Sequence, residues 1–375
     1  MTDFLIVGSG FYGAILAERI ANVLKKNVVI IDKRNHIGGN CYSKKDEKTG
    51  IEYHAYGTHI FHTSNKGVWN HINRFTDFNN YRHQVLSKHK GKIFQMPINL
   101  ETINSFYKKN FSPEEAKKFL KKITKKYQKN TYDNFEDKAQ SQIGKDLYTA
   151  FIKNYTKKQW NKNPKYLPGS IFNRLPLRSS YNEDYYDQTQ WQGIPTDGYT
   201  QIFKNLLNSK RIKLILNTKY NFDYKIKPKI LTIYTGPLDK LMNFKYGKLE
   251  WRSLTFKKKY LKIPDYQGTS VVNFPDTNYM YTRIHEPKHL HPERKIFKNN
   301  ETLIIEEYPS NNFDEPYYPI NNEKNRNLHR TYKNSLSNIV NFTFGGRLAD
   351  YAYYDMDMTI SAALKKFEQI KKNLL

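Results

Sequence analysis

At 375 residues the chain is too long for one compact core, and two or three domains are expected. The net charge is +27, yet the lysines are dispersed and no basic tail, zinc finger or RNP-type motif accompanies them, so no nucleic-acid partner is expected. A single cysteine, Cys41, excludes an internal disulfide; with no leader and no apolar run of about eighteen residues, a cytoplasmic chain without integral membrane contact is expected.

The first predicted element is a strand, Phe4 to Val7, that enters Gly8-Ser9-Gly10-Phe11-Tyr12-Gly13. An amphipathic helix follows, then a second strand, Val28 to Ile31, ending on Asp32. Gly8 permits the tight turn, Gly10 lets the backbone approach a pyrophosphate, and Gly13 lets helix and strand pack closely. The helix N-terminus offers free N–H groups to phosphate, and Asp32, roughly 20 residues on, can accept hydrogen bonds from a ribose. These features in this order predict a dinucleotide site. Beyond Asp32, the segment DKRNHIGGN sets Arg34, Gly38, Gly39 and Asn40 where a longer cofactor would run. Near the C-terminus Phe344-Gly345-Gly346-Arg347 precedes a predicted helix, Thr359 to Leu375, whose start could meet the other end of that cofactor. FAD is therefore expected over NAD.

Between these ends the texture changes twice. Helical spacing runs from about Glu101 to Ser180, with Ser112-Pro113-Glu114-Glu115 as a helix start and apolar periodicity from Asp137 to Tyr155. Gln201 to Lys213 reads as a helix, Leu214 to Asn217 and Ile230 to Tyr234 as strands. From about Leu249 short alternating runs predict an antiparallel sheet: Trp251 to Phe256, Thr269 to Phe274, Tyr279 to Ile284 and Thr302 to Tyr308. The expected class is α/β, a discontinuous FAD-binding Rossmann-like domain with an inserted helical domain and an inserted antiparallel β-sheet domain. The expected boundaries are 1–75, 197–240 and 340–375 for the first, 99–196 for the second, and 76–98 with 241–339 for the third.

Two further features bear on chemistry. Phe151, Tyr155 and Trp160, beside Thr156, are aromatics at a spacing that can line a cleft and stack a planar base, and that equally serves core packing. Arg174, Arg252 and Arg283 stand in polar or aromatic surroundings; arginine suits bidentate grip on phosphates, although each alone also reads as a surface ion-pair residue. No acid/base pair of carboxylates, Ser or Cys triad stands out.

The segments DKRNHIGGN, YGTHIFHTSN, NYTKKQW, QGIPTDGYTQIF, YTGPLD, YTRIHE, EPYYPI and FGGRLADYAYYDMD resemble, in order, those of the bacterial UDP-galactopyranose mutase family. The resemblance implies redox-neutral interconversion of UDP-galactopyranose and UDP-galactofuranose, supplying galactofuranose for surface glycans. It further implies a reduced FAD whose N5 attacks the anomeric carbon, so that the cofactor and not the protein is the nucleophile. By the same resemblance Arg174 and Arg283 grip the diphosphate, with Tyr185, Tyr317 and Tyr353 bonding it and Asp355 an active-site acid. Phe151, Tyr155, Thr156 and Trp160 surround the uracil; His83 and Asn273 lie near the sugar or uridine. His59 and His62 belong to a loop at the flavin face, Arg347 to the flavin pyrophosphate, and Arg252 to the flavin's surroundings. His83 stands where several members carry asparagine, Asn161 where glycine is common, and the run after Tyr185 is one residue longer than usual. The implied partner is UDP-galactose, with a homodimer allowed; UDP-N-acetylgalactosamine as a further substrate, or a flavin oxidoreductase of amine-oxidase type, are the alternatives.

Overall fold

A computed structural model describes residues 2–174, 176–294, 300–311 and 315–374, the side chains of Ser170, Asn173 and Arg174 excepted. The chain opens with β1 (Phe4–Val7), α1 (Phe11–Asn22) and β2 (Val28–Ile31), then β3 (Ser43–Lys45), β4 (Glu52–His54), β5 (Phe61–Thr63) and α2 (Lys66–Ile72). A hairpin, β6 (Val85–His89) and β7 (Lys92–Met96), leads into α3 (Leu100–Tyr107), α4 (Pro113–Thr124), α5 (Phe135–Leu147) and α6 (Asn154–Trp160). Then come β8 (Trp191–Gly193), α7 (Tyr199–Leu206), β9 (Ile212–Ile215), β10 (Leu231–Tyr234) and α8 (Leu238–Leu241). The last third holds β11 (Trp251–Leu261), β12 (Val271–Asn273), β13 (Arg283–His285), β14 (Thr302–Ser310), β15 (Tyr318–Pro319), α9 (Glu323–Ser337), β16 (Phe342–Phe344) and α10 (Met356–Leu374).

Five strands from three stretches of chain form one parallel sheet in the order β16-β10-β1-β2-β9. Strands β1 and β2 are apolar throughout because both faces are covered, as a parallel sheet requires. On one face α1 packs against β1, flanked by α7 and α10, and its Ile15, Leu16 and Ile20 are fully buried. Helix and strand period thus converge on one core, and the nucleotide fold is discontinuous.

The second sheet runs β15-β11-β14-β13-β12-β6-β7. It is antiparallel except where β12 meets β6 in parallel, the seam between the early hairpin and the late strands. The helical region closes over it with a separate core around Ile103, Leu147 and Phe172. Helix α4 starts as its sequence predicts, with Ser112 and Glu115 in a reciprocal capping box and Pro113 in the first turn.

Four elements differ from expectation. The strand expected from Tyr279 to Ile284 is loop until Arg283, where β13 begins. The helix from 201 stops at Leu206 and Ile212 begins a strand, because pairing with Val28 in the sheet outweighs helical spacing in that stretch. The long periodic run to Tyr155 is broken at Gly144 (φ +76°) and passes through a π-helical turn, Tyr148–Lys153, before α6. The C-terminal helix begins at Met356, three residues early.

Candidate active site

A cavity of about 1400 Å³ lies between the parallel sheet, the second sheet and the loop at Tyr185 to Thr189. Single-ligand pockets hold roughly 300–1,000 Å³, so this one has room for two ligands.

Its first end is made of backbone. Gly8 has φ +107°, and a Cβ there would fall 2.1 Å from Thr235 Oγ1. A Cβ on Gly13 would fall 2.0 Å from the Gly8 carbonyl oxygen, so only glycine lets α1 leave β1 this closely. Gly10 caps α1 with no side chain, leaving its first N–H groups free of a side-chain cap, and faces Gly39 across the cavity floor. The buried Asp32 accepts from Ser9 N–H (2.8 Å) and Ser9 Oγ–H (2.7 Å) through Oδ2, and from Arg34 N–H (2.9 Å) through Oδ1. Arg34 donates to Asn40 Oδ1 (3.0 Å), pairs with Glu315 and lies over the Tyr56 ring. Gly38 is also left-handed (φ +94°). The second glycine motif comes to the same place: Gly345 and Gly346 press on the Tyr12 ring of α1, and Gly346 has φ +91°.

Arg347 joins the two ends. Its Nη2 donates to the Tyr317 carbonyl (2.7 Å), its guanidinium lies 5.4 and 5.2 Å from the Tyr318 and Tyr353 rings, and its buried Nε has no partner among the described residues. A buried N–H without an acceptor is costly, and an anion at this point would satisfy it.

The second end is made of side chains. On β13, Arg283 donates to Tyr155 Oη from Nε (3.0 Å) and Nη2 (2.5 Å) and pairs with Glu307 at 3.3 Å. Glu307 also bonds His285 Nε2 (3.0 Å), whose Nδ1 meets Thr58 Oγ1 (2.8 Å). Burial alone would raise the Glu307 carboxyl, but Arg283 and His285 hold it below its ordinary value. Burial disfavours the Arg283 charge, and Glu307 with Tyr155 more than restores it, so the guanidinium stays charged. Burial pushes the Tyr155 hydroxyl up to about 12, keeping it a neutral acceptor.

Three histidines share this wall. His62 stacks on Tyr186 at 3.8 Å, and Tyr186 in turn lies 5.8 Å from His83. The His83 N–H is fixed by Gln192 Oε1 (3.1 Å), and His59 Nδ1 sits 2.7 Å from the Gly57 carbonyl. Burial pushes His83 down to about 3 and His59 to about 4. His62 is lowered by burial too, against the pull of Asp355. All three are neutral imidazoles at pH 7. Tyr353 stacks on Tyr318 at 5.3 Å, and Asp355, Tyr185 and Tyr317 lie on the same cavity.

Other predicted residues stand behind the wall. Phe151 is a core residue, 3% exposed, edge-on to Phe94 at 5.0 Å. Thr156 is buried and Trp160 packs on the helical core. Asn273 sits in register with Arg283. Arg252 does not line the cavity; it donates to the Gln159 carbonyl (3.0 Å) and to Asn311. Arg174 ends the short helix Gly169–Arg174, and its side chain lies outside the described residues. Sequence reasoning missed Glu307, Tyr186 and Tyr318. Glu307 carried a signal, an acid inside the apolar strand run of β14; the tyrosines each adjoin a predicted one.

A family model described as UDP-galactopyranose mutase matches residues 150–353, and one described as an NAD(P)-binding Rossmann-like domain matches 6–75. A UDP-galactopyranose mutase of Mycoplasma genitalium is 35% identical over 98% of this chain and 94% of its own. The chain belongs to the UDP-galactopyranose mutase family. It is an isomerase of that family. A dTDP-fucopyranose mutase of Escherichia coli is 39% identical over 100% of this chain and 99% of its own. The crystal structure of reduced UDP-galactopyranose mutase shares the fold, with a TM-score of 0.79 at 14% identity over 100% of this chain and 94% of that one. Among the described residues no helix is long and apolar enough to cross a membrane.

Proposed function

We propose that this mutase-family enzyme binds FAD across its two glycine motifs and interconverts UDP-galactopyranose and UDP-galactofuranose with no net redox change. One observation carries the reading: a single cavity joins a glycine cradle fit for a pyrophosphate to an arginine, Arg283, held charged by Glu307 and aimed by Tyr155. The unpartnered Nε of Arg347 fits a phosphate oxygen of the dinucleotide. When bound and reduced, the flavin supplies the nucleophile for the anomeric carbon.

The chain's own residues then do three things. Arg283 and Arg174 stabilise the charge that builds on the departing diphosphate, with Tyr353, Tyr185 and Tyr317 as donors. Tyr318, stacked on Tyr353, belongs with them on the same geometry. The neutral His59 and His62 line the flavin side without adding charge, while Asp355 is the acid of the site. Tyr155 faces the uridine, backed by Phe151, Thr156 and Trp160, with His83 and Asn273 toward the sugar and Arg252 holding the loop behind. The proposed domains are those of the sequence: FAD-binding 1–75, 197–240 and 340–375, helical 99–196, and sheet 76–98 with 241–339. A cytoplasmic homodimer completes the reading.

The 39% identity to a dTDP-fucopyranose mutase favours a second reading, the same ring interconversion on a dTDP-linked 6-deoxy sugar. Incubating dithionite-reduced protein with UDP-galactofuranose, and separately with dTDP-fucopyranose, then resolving the nucleotide sugars, decides between them. Equal turnover by the oxidised protein would remove the flavin's role.

A further inference from the structure

Lys158 is half-buried on α6, three residues past Tyr155, and its ammonium sits among four backbone carbonyls. The distances are 2.5 Å to Phe274 and 3.0 Å each to Asp276, Tyr279 and Tyr281. All four belong to the loop between β12 and β13. An ammonium has three N–H donors, so these carbonyls use its full capacity, and without it four acceptors would lose their partner. The loop is otherwise tied to the β6–β7 hairpin, where the Asp276 carboxylate meets His89 Nδ1 (2.5 Å) and accepts from Lys90 N–H (2.8 Å).

Two residues beyond Tyr281 comes Arg283. The same two elements are therefore joined twice, once by the Lys158 cage and once by Arg283 on Tyr155. Neither Lys158 nor Tyr155 lines the cavity; Arg283 does. We propose that Lys158 is a positioning residue: by clamping the 274–281 loop to α6, its ammonium sets the separation of Tyr155 and Arg283, and so aims Arg283 at the diphosphate. The inference rests on the reading that Arg283 grips a diphosphate. Burial pushes the amine down to about 8 against the pull of Asp276, so the clamp weakens in mild alkali. The charged group facing it is Asp276, with His89 behind it.

The test is calorimetric titration of UDP into flavin-loaded wild type, Lys158→Met, Arg283→Ala and the double variant. Lys158→Met is expected to weaken UDP by about tenfold to a hundredfold in the wild-type background and by less than twofold in the Arg283→Ala background. Equal losses in both backgrounds would show a general structural role and overturn the proposal, as would no loss in the first. If Lys158→Met does not fold, wild type titrated from pH 7 to 9.5 replaces it. UDP affinity should then fall around pH 8 in wild type and stay flat in Arg283→Ala, and parallel profiles overturn the proposal. Wild type that binds neither UDP nor dTDP at all instead sinks the diphosphate reading, and this inference with it.

Discussion

At the glycine end the cavity wall is main chain, set by where a Cβ cannot go in the first forty residues and again at Gly345-Gly346; at the arginine end it is side chain, assembled from β13, β14 and the loop at 353–355, with α6 behind. The first tolerates little change in shape and draws on few side chains, Asp32 and Arg347 among them. The second depends on charges and hydroxyls that hold one another in place. A cofactor that stays bound suits the rigid end, and a substrate that must enter and leave suits the other.

Glycine substitutions should give the largest effect, loss of the cofactor and with it all turnover. Gly13→Ala drives a Cβ into the Gly8 carbonyl oxygen, and the helix must shift at a cost of roughly 1–3 kcal/mol or more. The purified variant is expected to lack flavin absorbance and melt early. At Gly10 a Cβ meets nothing closer than 3.9 Å, so Gly10→Ala should fold normally and still lose flavin, because the methyl occupies the pyrophosphate's approach. A Gly10→Ala protein with full flavin content would end the claim that the cradle works by close approach.

Next in size is Arg283→Ala. Removing one charge-assisted contact at a developing anion costs roughly 3–4 kcal/mol, or 10²–10³-fold in turnover. Flavin content should be unchanged, since the arginine belongs to the other end. Near-normal turnover, or loss of flavin along with activity, would each break the division.

That division also explains what could be read in advance. The βαβ unit, the glycines and Asp32 are consecutive and each has a local physical reason, so their geometry follows from order alone. Ser112 to Glu115 is legible for the same reason. The arginine end is a matter of tertiary pairing: that Glu307 would face Arg283 depends on the register of β13 against β14, which no spacing states. Arg252 and Arg283 look alike as isolated arginines, yet one bonds a helix carbonyl away from the cavity lining and the other lines the cavity with its guanidinium on the Tyr155 hydroxyl. Phe151 and Tyr155 lie on one helical stretch, but the π-helical turn before α6 sends Phe151 into the core while Tyr155 meets Arg283. The family resemblance supplied residues for this end, and its one-residue uncertainty after Tyr185 falls where Tyr186 turns out to stack on His62.

A smaller effect is expected from Tyr155→Phe. The ring stays, so contact with a base survives, but Arg283 loses the oxygen that accepts two of its N–H groups. A hydrogen bond to a charged group contributes about 1.5–3 kcal/mol. Since Glu307 still holds the guanidinium, the lower figure applies, about tenfold in kcat/KM. A loss confined to KM for the uridine, unchanged when the diphosphate is shortened to a monophosphate, would mean that Tyr155 serves the base and not the arginine.

The smallest effect is in the acid limb of stability, and it belongs to the side-chain end. His83 and His59 titrate near 3 and near 4 in the fold because burial disfavours their charge, against about 6.5 in an unfolded chain. Between those values the unfolded chain binds protons that the native one refuses. Stability therefore rises with pH across this window: it is complete above about pH 6.5 and falls as pH drops toward 4, by about 1.4 kcal/mol per pH unit for each group. Glu307, whose carboxyl is held low, adds to the loss in the same direction at lower pH, so the absolute slope does not isolate the histidines. The difference between wild type and His83→Gln does, because glutamine carries no proton equilibrium and every other group is common to both. Urea midpoints of the flavin-loaded proteins, taken at half-unit steps from pH 7 to 4.5, should show the variant's stability falling less steeply by about 1.4 kcal/mol per unit, whatever its offset at pH 7. Parallel slopes would mean that protons reach His83 as easily in the fold as out of it, and that the wall behind Arg283 is wet.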